Sequence, residues 1–254
     1  MLARAIQILL LLGVNAIPVG GVALRGWSAS TALVLYWFEN LLGSLLMIAR
    51  IAAHRRLTRK RGHFHNQFGG TMNDKKLPTF LSEFTTISLI FTLAHGIFLG
   101  VVLAAVAKAA PDRAQVIQGG IGIAAFLIVG FLVDLGTLRS WPFSQLKQRA
   151  GSMMGRVVLV HLAILGGMFL SAVSNNPAQF FVVFGGLKTL SDIAALIPYS
   201  ARKSETPPGW FARFARMTGN GKHWKTGQDV ETWWRETTRS EVKGEAEDEE
   251  EVRG

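Results

Sequence analysis

Glu39, His95, Asp134, His161, Lys188 and Asp192 each stand inside a stretch of about twenty otherwise apolar residues, the length that crosses a bilayer core. An ionisable group at the centre of such a stretch costs about 2.5–3.5 kcal/mol to insert, so each needs a partner or a task. Carboxylates and imidazoles pass protons, the same groups are hard or borderline metal ligands, and Glu39 with Lys188 can form a neutral pair. Glu39 draws most interest. Asn40 follows it directly in "LYWFENLLG" (35–43), and its own helix offers no cation at that depth.

Spacing sorts these residues into two layers. At about 1.5 Å per residue, Glu39, His95 and Lys188 lie roughly 16–20 Å from the basic ends of their helices, near the midplane. Asp134, His161 and Asp192 lie at roughly 7–11 Å. The second layer holds two acids and one histidine and needs compensation from a proton, a cation, a metal or a snorkelling Arg139. Thr85, Ser88, Thr92 and His95 recur at spacings of three and four and make one polar stripe on a helix. Gly122, Gly130 and Asp134 share a face, as do Gly185, Lys188 and Asp192, and small residues there let helices approach closely. Structural roles compete with functional ones: Lys188 and Asp192, four apart, can neutralise each other, and His95 can simply donate to a carbonyl.

The elements that must position these groups follow from the apolar pattern. It predicts an all-α, polytopic membrane helix bundle with spans near 4–24, 30–50, 82–106, 116–138, 156–174 and 178–198. Pro18 and the Gly20–Gly21 pair lie deep in the first, which is expected to stay uncleaved and to be interrupted there. Of 27 Lys and Arg, 23 fall at Arg4, in 50–76, in 139–156 and from 199 onward, against Arg25, Lys108 and Arg113 on the opposite side. This asymmetry predicts both termini in the cytoplasm of a prokaryotic plasma (inner) membrane.

The transmembrane domain is therefore 1–198, with a basic cytoplasmic loop at 50–79, and a cytoplasmic tail covers 199–254. In the loop, Arg55, Arg56, Arg59, Lys60 and Arg61 are expected to rest on anionic lipid headgroups, and His63 and His65 to be solvated. In the tail, "PPGWFARFARM" places Trp210, Phe211, Phe214 and Met217 opposite Arg213 and Arg216, an interfacial amphipathic helix whose arginines also meet headgroups. The acidic "GEAEDEEEVRG" has too few apolar residues to pack and is expected to be disordered.

The chain has no cysteine, which removes disulfides and thiolate chemistry. No Gly-x-Ser-x-Gly, P-loop or His-Glu-x-x-His occurs, no metal ligand set or catalytic residue is assigned, and no pattern names a cofactor. The positive charge is a topology signal, so no nucleic acid partner is expected.

Tyr36–Trp37–Glu39–Asn40, His95–Gly96–Phe98 and Lys188–Asp192 together resemble the uncharacterised membrane proteins of domain-of-unknown-function family 6498, over most of residues 5 to 198. The resemblance implies a multi-pass membrane protein and carries no activity with it. From the residues, the leading expectation is a small-solute or proton/ion-coupled transporter using Glu39, Asn40, His95 and Lys188 above the Asp134, His161 and Asp192 layer, leaning away from an enzyme. The alternatives are an intramembrane metal-dependent enzyme acting on lipid, and a non-catalytic adaptor whose basic loop and acidic tail recruit partners.

Overall fold

The computed structural model describes residues 2–64, 79–105, 110–153, 155, 206, 207, 209, 213, 217 and 229–252. Among these, regular structure is helical apart from one antiparallel bridge between Lys60 and Glu251. The elements are α1 (Leu2–Arg25), α2 (Ala29–Thr58), a 3-10 turn (Arg61–Phe64), α3 (Phe80–Ala105), α4 (Arg113–Thr137), a second 3-10 turn (Leu138–Ser140), α5 (143–153) and α6 (Val230–Glu249). Three helical stretches, Ala29–Thr58, Phe80–Val101 and Arg113–Ser140, are long and apolar enough to cross a membrane; Leu9–Arg25 is a shorter apolar one. The spans expected at 156–174 and 178–198 lie outside the described residues.

Helix α1 runs unbroken through Pro18, so the interruption expected there does not occur. Gly21 serves a close approach instead. The chain turns at Gly26 (φ +66), and the Trp27 ring folds back so tightly that a Cβ on Gly21 would stand 2.0 Å from it. Ser28 then caps α2, its hydroxyl accepting from Thr31 N at 3.1 Å.

Among the described helices, α2 packs on α1, α3 and α4. It has 30 residues, about 45 Å, and continues eight residues past the expected end at Arg50. The first part of the expected loop is therefore helix. Arg and His end an apolar pattern without ending a helix, and Thr58, Ile51 and His54 keep a buried face going. The stop comes at Arg59, a non-glycine residue in the left-handed region (φ 47), whose N–H still reaches Arg55 O at 3.2 Å.

Two apolar clusters bracket α2 and α3 and show them to be antiparallel. One joins Met47 and Ile51 to Phe80, Phe84, Trp141 and Phe143; the other joins Ala32, Leu33 and Tyr36 to Leu99. A third, with Val14, Trp27, Leu35 and Ile123, ties α1 and α4 to α2. The outer faces stay apolar: Ile90, Leu93, Ile97 and Val101 on α3 and Ile121 and Leu132 on α4 are exposed, as lipid-facing positions would be.

Candidate functional site

Between the two bracketing clusters, α2 and α3 turn polar. Glu39, Asn40 and Ser44 are buried on α2, and Ser88, Thr92 and His95 on α3. Trp37 sets the register: its Nε1 donates to Thr92 O at 3.1 Å, and a Cβ on Gly96 would come within 2.9 Å of that nitrogen. Glu39 lies two residues from Trp37 on α2, and His95 directly precedes Gly96 on α3. The α3 stripe is satisfied by its own helix. Thr85 donates to Leu81 O (2.7 Å), Ser88 to Thr85 O (3.2 Å) and Thr92 to Ser88 O (2.8 Å), which leaves the hydroxyl lone pairs available. Asn40 Nδ2 is buried and has no hydrogen-bond partner among the described residues.

Asp134 sits toward the basic end of α4, buried, and three side chains converge on it. Gln7 Nε2 donates to Oδ1 at 2.8 Å, and Arg149 Nη1 lies 3.1 and 3.2 Å from Oδ1 and Oδ2. Arg50 Nε is 2.9 Å from Oδ2, an ion pair whose N–H is not aligned as a hydrogen bond. The compensation for this acid therefore comes from Arg50 and Arg149, and Arg139 is exposed. Both guanidiniums also lie over rings, Arg50 on Phe131 at 5.1 Å and Arg149 on Trp141 at 4.0 Å. Two cations face one carboxylate, so the described cluster is net positive.

Trp141 carries the next layer. His54 Nε2 lies 3.0 Å and Lys60 Nζ 3.3 Å from its carbonyl oxygen, and His63 Nε2 lies 2.7 Å from His54 Nδ1. A carbonyl can only accept, so His54 Nε2 carries the proton and its Nδ1 accepts from His63 Nε2–H. That leaves His63 Nδ1 as a bare lone pair, buried and without a partner among the described residues. His63 was expected to be solvated; it is fully buried against Phe80 and Phe143 because Gly62 lets the 3-10 turn press onto the Phe143 ring. Burial first, then the neighbouring His54, against which a second proton would be repelled, and the positive charge of Arg55 and Lys60 lower its pKa to about 3. His65 lies outside the described residues.

The acidic tail is also unlike its expectation. Asp229 caps α6, accepting from Glu231 N at 3.1 Å and Thr232 N at 3.3 Å, and the helix runs through the Glu-rich stretch to Glu249. Its end is docked. Lys60 Nζ pairs with Glu249 Oε2, Ser144 N donates to Glu249 Oε1 at 3.1 Å, and Arg61 pairs with Glu250 at 3.3 Å. Backbone bonds Arg61 N to Glu250 O (2.7 Å) and Val252 N to Arg59 O (3.1 Å) close the strap. Opposite charge does here what apolar burial does elsewhere, and glutamate and alanine are good helix formers.

Of the headgroup-contact residues, Arg56 and Arg59 are exposed, Arg55 lies over the Phe64 ring at 4.8 Å, and Lys60 and Arg61 are held by the tail. Arg213 and Met217 are exposed; Trp210, Phe211, Phe214, Arg216, His161, Lys188 and Asp192 lie outside the described residues. Among the described residues no three His, Asp or Glu side chains converge as a metal cluster. Sequence reasoning missed Gln7, Arg50, His54 and Arg149, whose partners are remote in the chain. A signal existed for the tail: a basic block at 55–61 and an acidic block at 245–251 are of similar length and opposite sign.

Fold and site together define a class: an all-helical protein, among its described residues, with three helices fit to cross a membrane and a polar belt between two of them. The chain belongs to DUF6498, a family of unknown function, whose model matches residues 2–208. No curated protein and no solved structure matches it.

Proposed function

We propose that this chain is a multi-pass protein of the prokaryotic plasma membrane that moves a small solute, a proton or an ion through the polar belt between α2 and α3. The observation that carries the proposal is the layout of that belt. Buried polar side chains on facing helices are closed off at both ends by apolar clusters on the same two helices, as an occluded midplane site would be. Glu39 and His95 are the groups able to take and release a proton, the Ser88 and Thr92 oxygens are acceptors for a cation or solute donor, and the Asn40 amide is a donor. Lys188 joins this path by its sequence depth, as do His161 and Asp192 below it. Asp134, saturated by Gln7, Arg50 and Arg149, anchors the bundle in this reading and carries nothing. The basic end faces the cytoplasm by the positive-inside tendency.

The test is flux in proteoliposomes under imposed proton, sodium or potassium gradients, followed with a pH-sensitive or ion-sensitive dye. Wild-type protein is expected to dissipate one of these gradients, and Glu39→Gln and His95→Gln to abolish that flux, while Ser82→Ala on the exposed start of α3 leaves it intact. Undiminished flux in both variants, or no flux in wild type under any of the gradients, would overturn the proposal.

A further inference from the structure

We infer that residues 249–252 are a built-in competitor for an anionic lipid surface, closing over Lys60 and Arg61 and yielding them when acidic headgroups are within reach. The inference does not rest on transport; it needs only the basic end of the bundle to face an anionic leaflet.

Three observations support it. First, the strap holds the C-terminal end of the basic block, and its contacts are of the kind a phosphate can replace. A carboxylate receives Lys60 Nζ and the Ser144 N–H in the first turn of α5, and a second receives the Arg61 guanidinium. An acidic lipid phosphate offers the same acceptor chemistry to the same donors. Second, the outer part of the strap is held by charge and backbone pairing with little burial: Arg61 and Glu250 keep 48% and 63% of their side chains exposed and Val252 is exposed, whereas Lys60 and Glu249 are half-buried. Such pairs are screened within a Debye length of about 8–10 Å and are worth little individually, so a dense anionic surface can outcompete them. Third, the neighbouring cations are unused by the strap. Arg56 and Arg59 are exposed beside it, so the freed Lys60 and Arg61 would complete a contiguous basic patch. Arg59, whose carbonyl receives Val252 N–H, is also the left-handed stop of α2, so the strap is bonded directly to the turn that presents the basic block.

The chain has no cysteine, so spin labels can be placed at Leu57→Cys and Val252→Cys, both exposed, in the full-length protein. In nanodiscs of phosphatidylcholine a single short distance is expected. With phosphatidylglycerol added, that population should give way to a broad, longer one, and Glu249→Gln with Glu250→Gln should show the open distribution already in phosphatidylcholine. The charge-swapped pair Lys60→Glu with Glu249→Lys should restore closure in phosphatidylcholine. Inorganic phosphate added to phosphatidylcholine discs, matched in ionic strength by sodium chloride, separates the sources. A short distance kept in phosphate supports the lipid surface as competitor, and opening by phosphate beyond the chloride control overturns it in favour of a soluble anion. A distance distribution indifferent to phosphatidylglycerol overturns the inference outright. None of these outcomes depends on flux, so failure here and failure of the transport reading are read separately.

Discussion

His63 shows how one buried side chain sets a pH dependence. Its Nδ1 lone pair faces no donor among the described residues and its Nε2–H is committed to His54, so a second proton would enter a site with no acceptor for it. The folded pKa of about 3 lies below the ordinary 6.5. Between those values the unfolded chain binds a proton that the folded chain refuses. Stability therefore rises with pH from about 3 to about 6.5 and gains nothing further from this group above that. His63→Phe keeps a ring against Phe80 and Phe143 and removes the titration. Its melting temperature in detergent is expected to rise less steeply across pH 4–6 than that of wild type, the remainder coming from His54, whose pKa burial also lowers. Equal slopes in the two proteins would mean that His63 is not the titrating group. The same scale explains what was legible. Glu39, His95 and Asp134 announce themselves because charge in an apolar run is conspicuous. Arg50, Arg149 and Gln7 do not: each sits where basic or polar residues are ordinary, and only the fold brings them to Asp134.

At the scale of elements, the apolar pattern located helix starts well, since 30, 82 and 116 fall within a few residues of Ala29, Phe80 and Arg113. It also located the ends of α1 and α4 within a residue, 24 and 138 against Arg25 and Thr137. It missed that of α2, because hydropathy marks where lipid stops and a persisting buried face carries this helix on to Thr58. The α2–α3 pair depends on a detail that no hydropathy pattern carries, the fit of Trp37 against Gly96. Gly96→Ala puts a methyl 2.9 Å from the indole nitrogen, forcing Trp37 off the Thr92 carbonyl and leaving a buried acceptor to its helix bond alone. A loss of about 1–2 kcal/mol is expected, read by thermal denaturation in detergent. Trp37→Phe by itself forfeits the hydrogen bond but relieves the crowding. The double variant should thus be less destabilised than the two singles added together, since contacting residues couple. Strict additivity would show that Gly96 and Trp37 do not meet.

At the scale of the molecule, the basic segments form one connected construction although they are far apart in sequence. Trp141 is the joint. Its ring carries Arg149, which holds Asp134 within α4; its carbonyl carries His54 at the end of α2 and Lys60, which holds Glu249 at the end of α6; its Nε1 donates to Thr137 at 3.1 Å. Charge counting by segment made it legible that these pieces share an end of the bundle. That they share a residue was not, because a main-chain oxygen has no signature in sequence. If Trp141 is the joint, then Trp141→Ala should act at a distance but only within this end. Truncating a buried Trp costs about 3–5 kcal/mol, and the loss should fall on the elements that lean on it. Hydrogen exchange followed by mass spectrometry is expected to speed up together in 55–64 and 245–252, segments 189 residues apart at the Lys60–Glu249 pair. The middle of α2 around Glu39, packed beyond the Met47 cluster, should keep its protection. Trp141→Phe, which retains an aromatic face for Arg149 and a ring to hold the carbonyl against His54 and Lys60, should change both segments far less. Acceleration confined to 138–153 in the alanine variant would instead mean that the tail and the α2 end are held independently of Trp141, as separate contacts that happen to lie at one end.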